Sequence, residues 1–206
     1  MSASSLPRAS GSTRDQILAV ARDLIETRSY LGFSFQDVAD AVGVRKASLY
    51  HHFATKEALG VAVIRGAVQA FKDWDAVRTQ EPKEALESYF RMYRNTLRAG
   101  SAMCPAGALA PGWGVIDHDL QLAVQELRNM QVTWLTGVLS ALAWLETTRP
   151  RTTKDASGQA QRSPSMTSLA AYVFSVCQGA LLSARMTGRV EDFDDAIAQL
   201  RTSLPG

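Results

Sequence analysis

The side chains with the most chemical potential gather in residues 34–59, SFQDVADAVGVRKASLYHHFATKEAL. Arg45, Lys46, Ser48, Tyr50, His51, His52 and Lys56 follow one another closely, and no acidic residue stands between Asp40 and Glu57. Such a row of cations and hydroxyls suits the phosphate oxygens of a nucleic acid, whose charge Lys and Arg neutralise. The first sixty residues together carry seven basic and six acidic side chains, so the positive character belongs to this short run. The whole chain, 206 residues with Lys+Arg 22 against Asp+Glu 20, has a formal net charge of only +2. That excludes a polybasic nucleic-acid coat and leaves a local patch.

Other candidate chemistries are weaker. His51 and His52 are adjacent, project about 100° apart on a helix, and have no Cys or acidic ligand beside them, so no metal site is expected. His118 between Asp117 and Asp119 has the look of a general base, yet no nucleophile motif accompanies it, and Asp117 is more simply a helix N-cap. Cys104 and Cys177 lie in apolar stretches with no cation nearby to lower a thiol pKa, which favours inert buried thiols over a redox pair. Neither a cofactor nor an enzymatic activity is expected.

Helical periodicity runs through the chain and alternating strands are absent, which predicts an all-α fold. Ile17, Leu18, Ala21, Leu24 and Ile25 form one stripe, opened by Thr13-Arg-Asp-Gln16 as an apparent capping box. Ser34 is expected to cap a short helix, Gly43 to supply the positive φ of a tight turn, and Thr55 to cap a long helix reaching Val77. Val38, Ala39, Val42, Val44, Leu49 and Phe53 then share the small core of a helix pair, the second member covering about 45–52. Further helices are expected at about 83–99, 105–111, 117–146, 165–187 and 190–203, with a flexible loop over 147–165. The polar start of the chain lacks the apolar run of a signal peptide, and the uncharged stretches are short or broken by Gly, Pro, Gln131 and Gln178. A cytoplasmic protein without a membrane span is the expectation.

The elements Gly43-Val44, Leu49-Tyr50-His51-His52-Phe53 and Lys56-Glu57-Ala58-Leu59, within a match running from Thr13 to Leu59, resemble the DNA-binding domain of the TetR family of bacterial transcriptional regulators. The resemblance implies an N-terminal three-helix DNA-binding domain with a helix-turn-helix at 11–55 after a disordered tail at 1–10. A larger helical ligand-binding and dimerisation domain would occupy 56–206. It further implies that Lys46, Ala47 and Ser48 face base edges and that Arg45 reaches a base or a phosphate. Tyr50, His52 and Lys56 would meet phosphates beside His51, with Ser34 and Gln36 on the preceding helix touching the backbone. The partners implied are a palindromic double-stranded operator, a small hydrophobic effector and a second copy of the chain.

Large apolar groups beyond the basic run are first of all core material, and pockets are lined by the same types. Phe71, Trp74, Tyr93, Met103, Trp113, Met130 and Trp134 are the expected pocket lining under the resemblance. Leu169, Val173, Val176, Ala180 and Ala184 make a stripe on a helix apolar around much of its circumference, which predicts burial against another element and a two-fold dimer. A helical small-molecule carrier without DNA recognition is the alternative from another class.

Overall fold

The computed structural model describes residues 11–77, 81–98, 103–148 and 165–204. Among them the helices are α1 (Thr13–Arg28), α2 (Phe35–Val42), α3 (Lys46–His52), α4 (Lys56–Ala76), α5 (Pro82–Arg98), α6 (Pro105–Leu109), α7 (His118–Thr148), α8 (Met166–Thr187) and α9 (Glu191–Arg201). Short 3-10 turns stand at Tyr30–Gly32 and Ala110–Gly112, and no strand occurs among the described residues. The all-α expectation holds. The expected tail at 1–10 and residues 149–164 of the expected loop lie outside the described residues, whereas Thr147 and Thr148 finish α7 and Ser165 caps α8. By internal packing the chain divides into two compact units, Met1–Gln69 with Pro105–Gln125, and Ala70–Cys104 with Glu126–Gly206.

In the first unit, α1 buries Ile17, Ala21, Leu24 and Ile25, the stripe expected from one turn-and-a-bit spacing. Its capping box is built from Ser12 and Asp15, one residue earlier than the sequence pattern placed it. Ser12 wins because its hydroxyl reaches the Asp15 amide from outside the helix, while Thr13 is already helical. Val38 and Ala39 of α2, Leu49 of α3 and Ile64 of α4 join α1 in the core, each with no more than trace exposure. Burying an aliphatic side chain of this size contributes about 1.5–3 kcal/mol, so these few contacts outweigh any surface ion pair in the unit.

The corner after α1 is unusual. Ser29 adopts φ 66° and ψ 160°, a conformation L residues rarely occupy. Its amide donates to Ile25 O at 3.1 Å, and its hydroxyl donates to the carbonyl of Ala108 at the end of α6 at 2.9 Å. The corner is thereby tied to a segment distant in sequence.

In the second unit α8 packs against α9 and α5. Phe193, Ile197 and Leu200 of α9 recur at helical spacing and are almost fully buried. Gly188, at φ 72°, ends α8 with its amide on Ala184 O at 2.9 Å and lets the chain reverse. Two forked ion pairs join α5 to α9, Arg94 to Asp194 at 2.6 and 2.8 Å and Arg201 to Glu87 at 2.8 and 2.7 Å. Each is partly exposed and worth at most about 1 kcal/mol, so they set register more than stability. α8 is long and apolar enough to cross a membrane by length and composition, but its Val173, Cys177, Ala180, Leu181 and Ala184 are buried here by protein.

Candidate functional site

The basic run is carried on two short helices fixed by local chemistry. Ser34 caps α2: the Asp37 amide donates to its hydroxyl oxygen at 3.3 Å, and Asp37 Oδ2 accepts from both the Ser34 amide and the Ser34 hydroxyl at 2.6 Å. The hydrogen bonds from Ser34 hold the Asp37 carboxyl below its ordinary range. Ser34 is therefore exposed, as expected, but its hydroxyl proton already belongs to Asp37 and is not offered to a phosphate. Gln36, also exposed, donates its side-chain amide to Asp40 Oδ1 at 2.7 Å. Gly43 takes φ 79°, and the amides of Gly43 and Val44 both return to Ala39 O, at 2.9 and 3.0 Å. That left-handed residue closes the turn and sends α3 away from α2.

On α3, Leu49 is wholly buried and holds the helix to the core. Arg45, Lys46, Ala47, Tyr50, His51 and His52 are exposed and Ser48 is half-buried, so the outward face is the cationic one anticipated from sequence. Arg45 is the N-cap and its side chain makes no capping bond. Tyr50 does two things at once: its ring meets Phe35 edge-on at 5.2 Å between centroids, yet half of the residue remains accessible, 51%. Packing and outward presentation of its hydroxyl are compatible.

Lys56 departs from expectation. Its ammonium donates to the carbonyls of Tyr30 at 2.6 Å and Phe33 at 2.5 Å, and sits 4.4 and 4.3 Å from the centroids of the same two rings. Burial pulls its pKa below the ordinary lysine value, with Glu57 and Asp37 acting in the opposite sense. Two of its three ammonium hydrogens go to carbonyls, so Lys56 staples the Tyr30–Phe33 turn and keeps a single hydrogen for the expected phosphate role. Thr55 caps α4 as anticipated, accepting from the Ala58 amide at 3.1 Å.

The expected pocket residues separate. Phe71, Trp74 and Trp134 come together, with centroids 5.2 Å (Phe71–Trp74), 5.8 Å (Phe71–Trp134) and 5.3 Å (Trp74–Trp134) apart. Tyr89, core material outside the expected pocket lining, stacks on Trp134 at 5.5 Å and contacts Tyr93 at 5.0 Å. Tyr89 and Tyr93 both donate to Gln131 Oε1, at 2.9 and 2.8 Å, and Gln178 Nε2 donates to the Tyr93 hydroxyl at 3.1 Å. Burial pushes both phenols well above their ordinary pKa, so they remain neutral donors. The available signal was Gln131 and Gln178 themselves, polar residues inside uncharged helices, which need partners once buried. Met103 and Met130 are half-buried, and Trp113, which belongs to the other unit, is 37% exposed.

On α8, Val173, Ala180 and Ala184 are buried inside the single chain, with Leu169 and Val176 half-buried beside them. The expected interface stripe is thus largely the face turned to α9 and α5, and a small residue there permits close intrachain packing instead. The exposed stripe is Tyr172, Ser175, Gly179, Leu182 and Met186. Cys104 and Cys177 are free and buried, and burial raises the Cys177 thiol to about 12. Asp117 caps α7 through the Leu120 amide at 2.9 Å, and no group of three metal-ligating side chains occurs among the described residues.

The helix pair, its glycine turn and its outward cationic face define a helix-turn-helix protein on an all-helical frame. Residues 17–63 match the family model described as bacterial regulatory proteins, tetR family. The chain is 34% identical over 86 residues to the HTH-type transcriptional repressor KstR2 of Mycobacterium tuberculosis, a match covering 38% of this chain and 41% of that protein. It superimposes on a TetR-family regulator from Agrobacterium tumefaciens with TM-score 0.81 at 25% identity, covering 95% and 98% of the two chains. A TetR regulator from Legionella pneumophila gives TM-score 0.76 at 27% identity over 96% and 99%. Residues 17–63 thus carry the DNA-binding segment of the TetR family, and the chain as a whole shares the fold of those two solved regulators. Its match to the curated repressor spans about two-fifths of that protein's length.

Proposed function

We propose that the protein is a DNA-binding transcriptional regulator, a repressor that grips a palindromic operator as a homodimer and leaves it when a small effector occupies the second unit. The observation that carries this is the outward face of α3: Arg45, Lys46, Tyr50, His51 and His52 exposed on a helix anchored by buried Leu49. No carboxylate lies between Asp40 and Glu57 to compete with phosphate. Lys46 and Ala47 are the base-facing candidates, since a lysine reads guanine acceptors and a methyl group meets the thymine methyl. Arg45, Tyr50 and His52 are the phosphate-facing ones.

Two copies must present their α3 helices to half-sites about 34–36 Å apart, or a multiple of that. The exposed α8 stripe with Tyr172, Leu182 and Met186 supplies an apolar surface for such pairing. α4 is one helix whose residues fall in both units, so a ligand preferring one placement of α4 changes operator affinity tenfold with about 1.4 kcal/mol of coupling. The cell compartment that goes with this activity is the cytoplasm.

The test is binding to a palindrome from the adjacent intergenic DNA at several salt concentrations. A Lys46→Ala, Tyr50→Ala double variant should lose specific binding while its circular dichroism and sedimentation match the wild type. Unchanged binding by a folded double variant refutes the assignment of α3 as the reading element.

A further inference from the structure

α1 carries three arginines, and their surroundings differ. Arg22 donates to Glu26 Oε1 at 2.8 Å, one turn away. Arg28 stands in the last turn, where the helix dipole favours a cation. Arg14 stands in the first turn, where the same dipole repels it. Its acidic neighbour Asp15 is committed to the capping box with Ser12. Arg14 is exposed, and among the described residues it has neither a carboxylate nor a hydrogen-bond acceptor, so its five N–H donors are unspent. The guanidinium is nevertheless held in place, its carbon 5.1 Å from the centroid of the Phe53 ring. Phe53 is buried, directly follows His52 and closes α3 with its amide on Leu49 O at 2.9 Å. The cation therefore sits beside the exposed row Tyr50, His51 and His52, although it belongs to another helix.

We infer that Arg14 is a phosphate contact of the DNA-binding face, gripping the duplex backbone beside the carboxyl end of α3. The inference rests on the function proposed above and adds to it a residue from outside the helix pair. Three properties select a phosphate as the partner. The side chain carries a full charge that no protein anion neutralises, and pairing such a charge with a phosphate releases a counterion from the duplex. A guanidinium presents planar, paired donors that fit two phosphate oxygens at once, and the Phe53 ring fixes its place without consuming a hydrogen-bond donor. A base edge is the poorer partner, because reading one requires entry into a groove. Arg14 lies at the carboxyl end of α3, whereas the base-facing candidates Lys46 and Ala47 stand at its amino end. A contact of this kind strengthens binding to every duplex alike.

The experiment measures the affinity of the full chain for the operator palindrome and for an unrelated duplex, each over a series of salt concentrations. Arg14→Gln keeps a polar stem and removes the charge. It should lower the slope of log affinity against log salt by about 0.9 per protomer, about 1.8 for a dimer, on both duplexes. Arg14→Lys keeps the charge and should retain the wild-type slope. Arg22→Gln removes an arginine of the same helix that is already paired, and should leave the slope at the wild-type value. An unaltered slope in Arg14→Gln, folded as wild type by circular dichroism, overturns the inference. Equal lowering by Arg22→Gln overturns it as well, because the effect is then one of net charge. So does a loss confined to the operator, which is the mark of base reading. A wild-type chain that binds no duplex at low salt sinks the proposed function and this inference together, whereas wild-type binding with an unaltered slope in Arg14→Gln sinks the inference alone.

Discussion

Replacing Lys56 by methionine discriminates between a lysine that holds the fold and one that holds DNA. Methionine keeps the aliphatic stem but removes an ammonium that donates to Tyr30 O and Phe33 O at 2.6 and 2.5 Å. Hydrogen bonds from a charged group contribute about 1.5–3 kcal/mol each when buried, and Lys56 is only half-buried, so the pair is worth about 2–3 kcal/mol. For a chain of this size each kcal/mol moves Tm by about 2–4 °C, giving an expected drop of about 4–12 °C. A phosphate contact predicts something different: little change in Tm, and a loss of about 0.9 per protomer from the slope of log affinity against log salt. Lys56→Met should therefore melt earlier in thermal unfolding and, measured well below its Tm, keep the wild-type salt slope on operator DNA. An unchanged Tm with a slope lowered by about 0.9 per protomer would falsify the staple.

Gly43→Ala meets no atom within 4 Å, so its cost is the left-handed backbone alone, about 1–2 kcal/mol, readable as a lower denaturant midpoint with unchanged m. Leu49→Ala empties a fully buried site and should cost about 2–5 kcal/mol, with α3 losing amide protection before the second unit does. In a Cys104→Ser background, Cys177 should react with a disulfide reagent at pH 8 roughly a thousandfold more slowly than in urea, because a pKa raised to about 12 leaves almost no thiolate; equal rates in buffer and urea would count against its burial. The bonds from Arg94 hold the Asp194 carboxyl below the usual 3.8, so its contribution is complete above that pH and fades as acid titrates it below. Asp194→Asn should then be slightly less stable than wild type at neutral pH, the two converging in acid-unfolding curves near pH 2; a gap that widens with acid contradicts the pairing.

Element types were largely legible because hydrophobic spacing and caps are local. Ser34, Gly43, Thr55 and Asp117 each do in three dimensions what their types announce in one. The outward face of α3 was legible for the same reason: once Leu49 is inside, the charged neighbours have nowhere to go but out. What failed was partner choice across long sequence separations. Lys56 finds carbonyls that become neighbours only after the chain turns at Tyr30–Phe33. On α8 nearly every face is apolar, so periodicity alone could not tell the side that meets α9 from the side left open at Tyr172, Leu182 and Met186. The pocket list found Phe71, Trp74 and Trp134 as a cluster but left out Tyr89, since an isolated tyrosine does not signal its indole partner in advance.

Ser29 gives the first unit a corner held shut against its own backbone. The conformation costs about 1–3 kcal/mol in a residue with a β-carbon, and a single hydroxyl reaching Ala108 O at 2.9 Å is what fastens it. Glycine at this position would be at ease in that geometry and yet lose the hydroxyl bond to Ala108, leaving α1 and α6 joined by packing alone. The joint would gain comfort and lose its latch. One oxygen atom thus adds a directional tie to two helices that already pack on each other, and its removal a melting curve, summing relief and loss, would barely register.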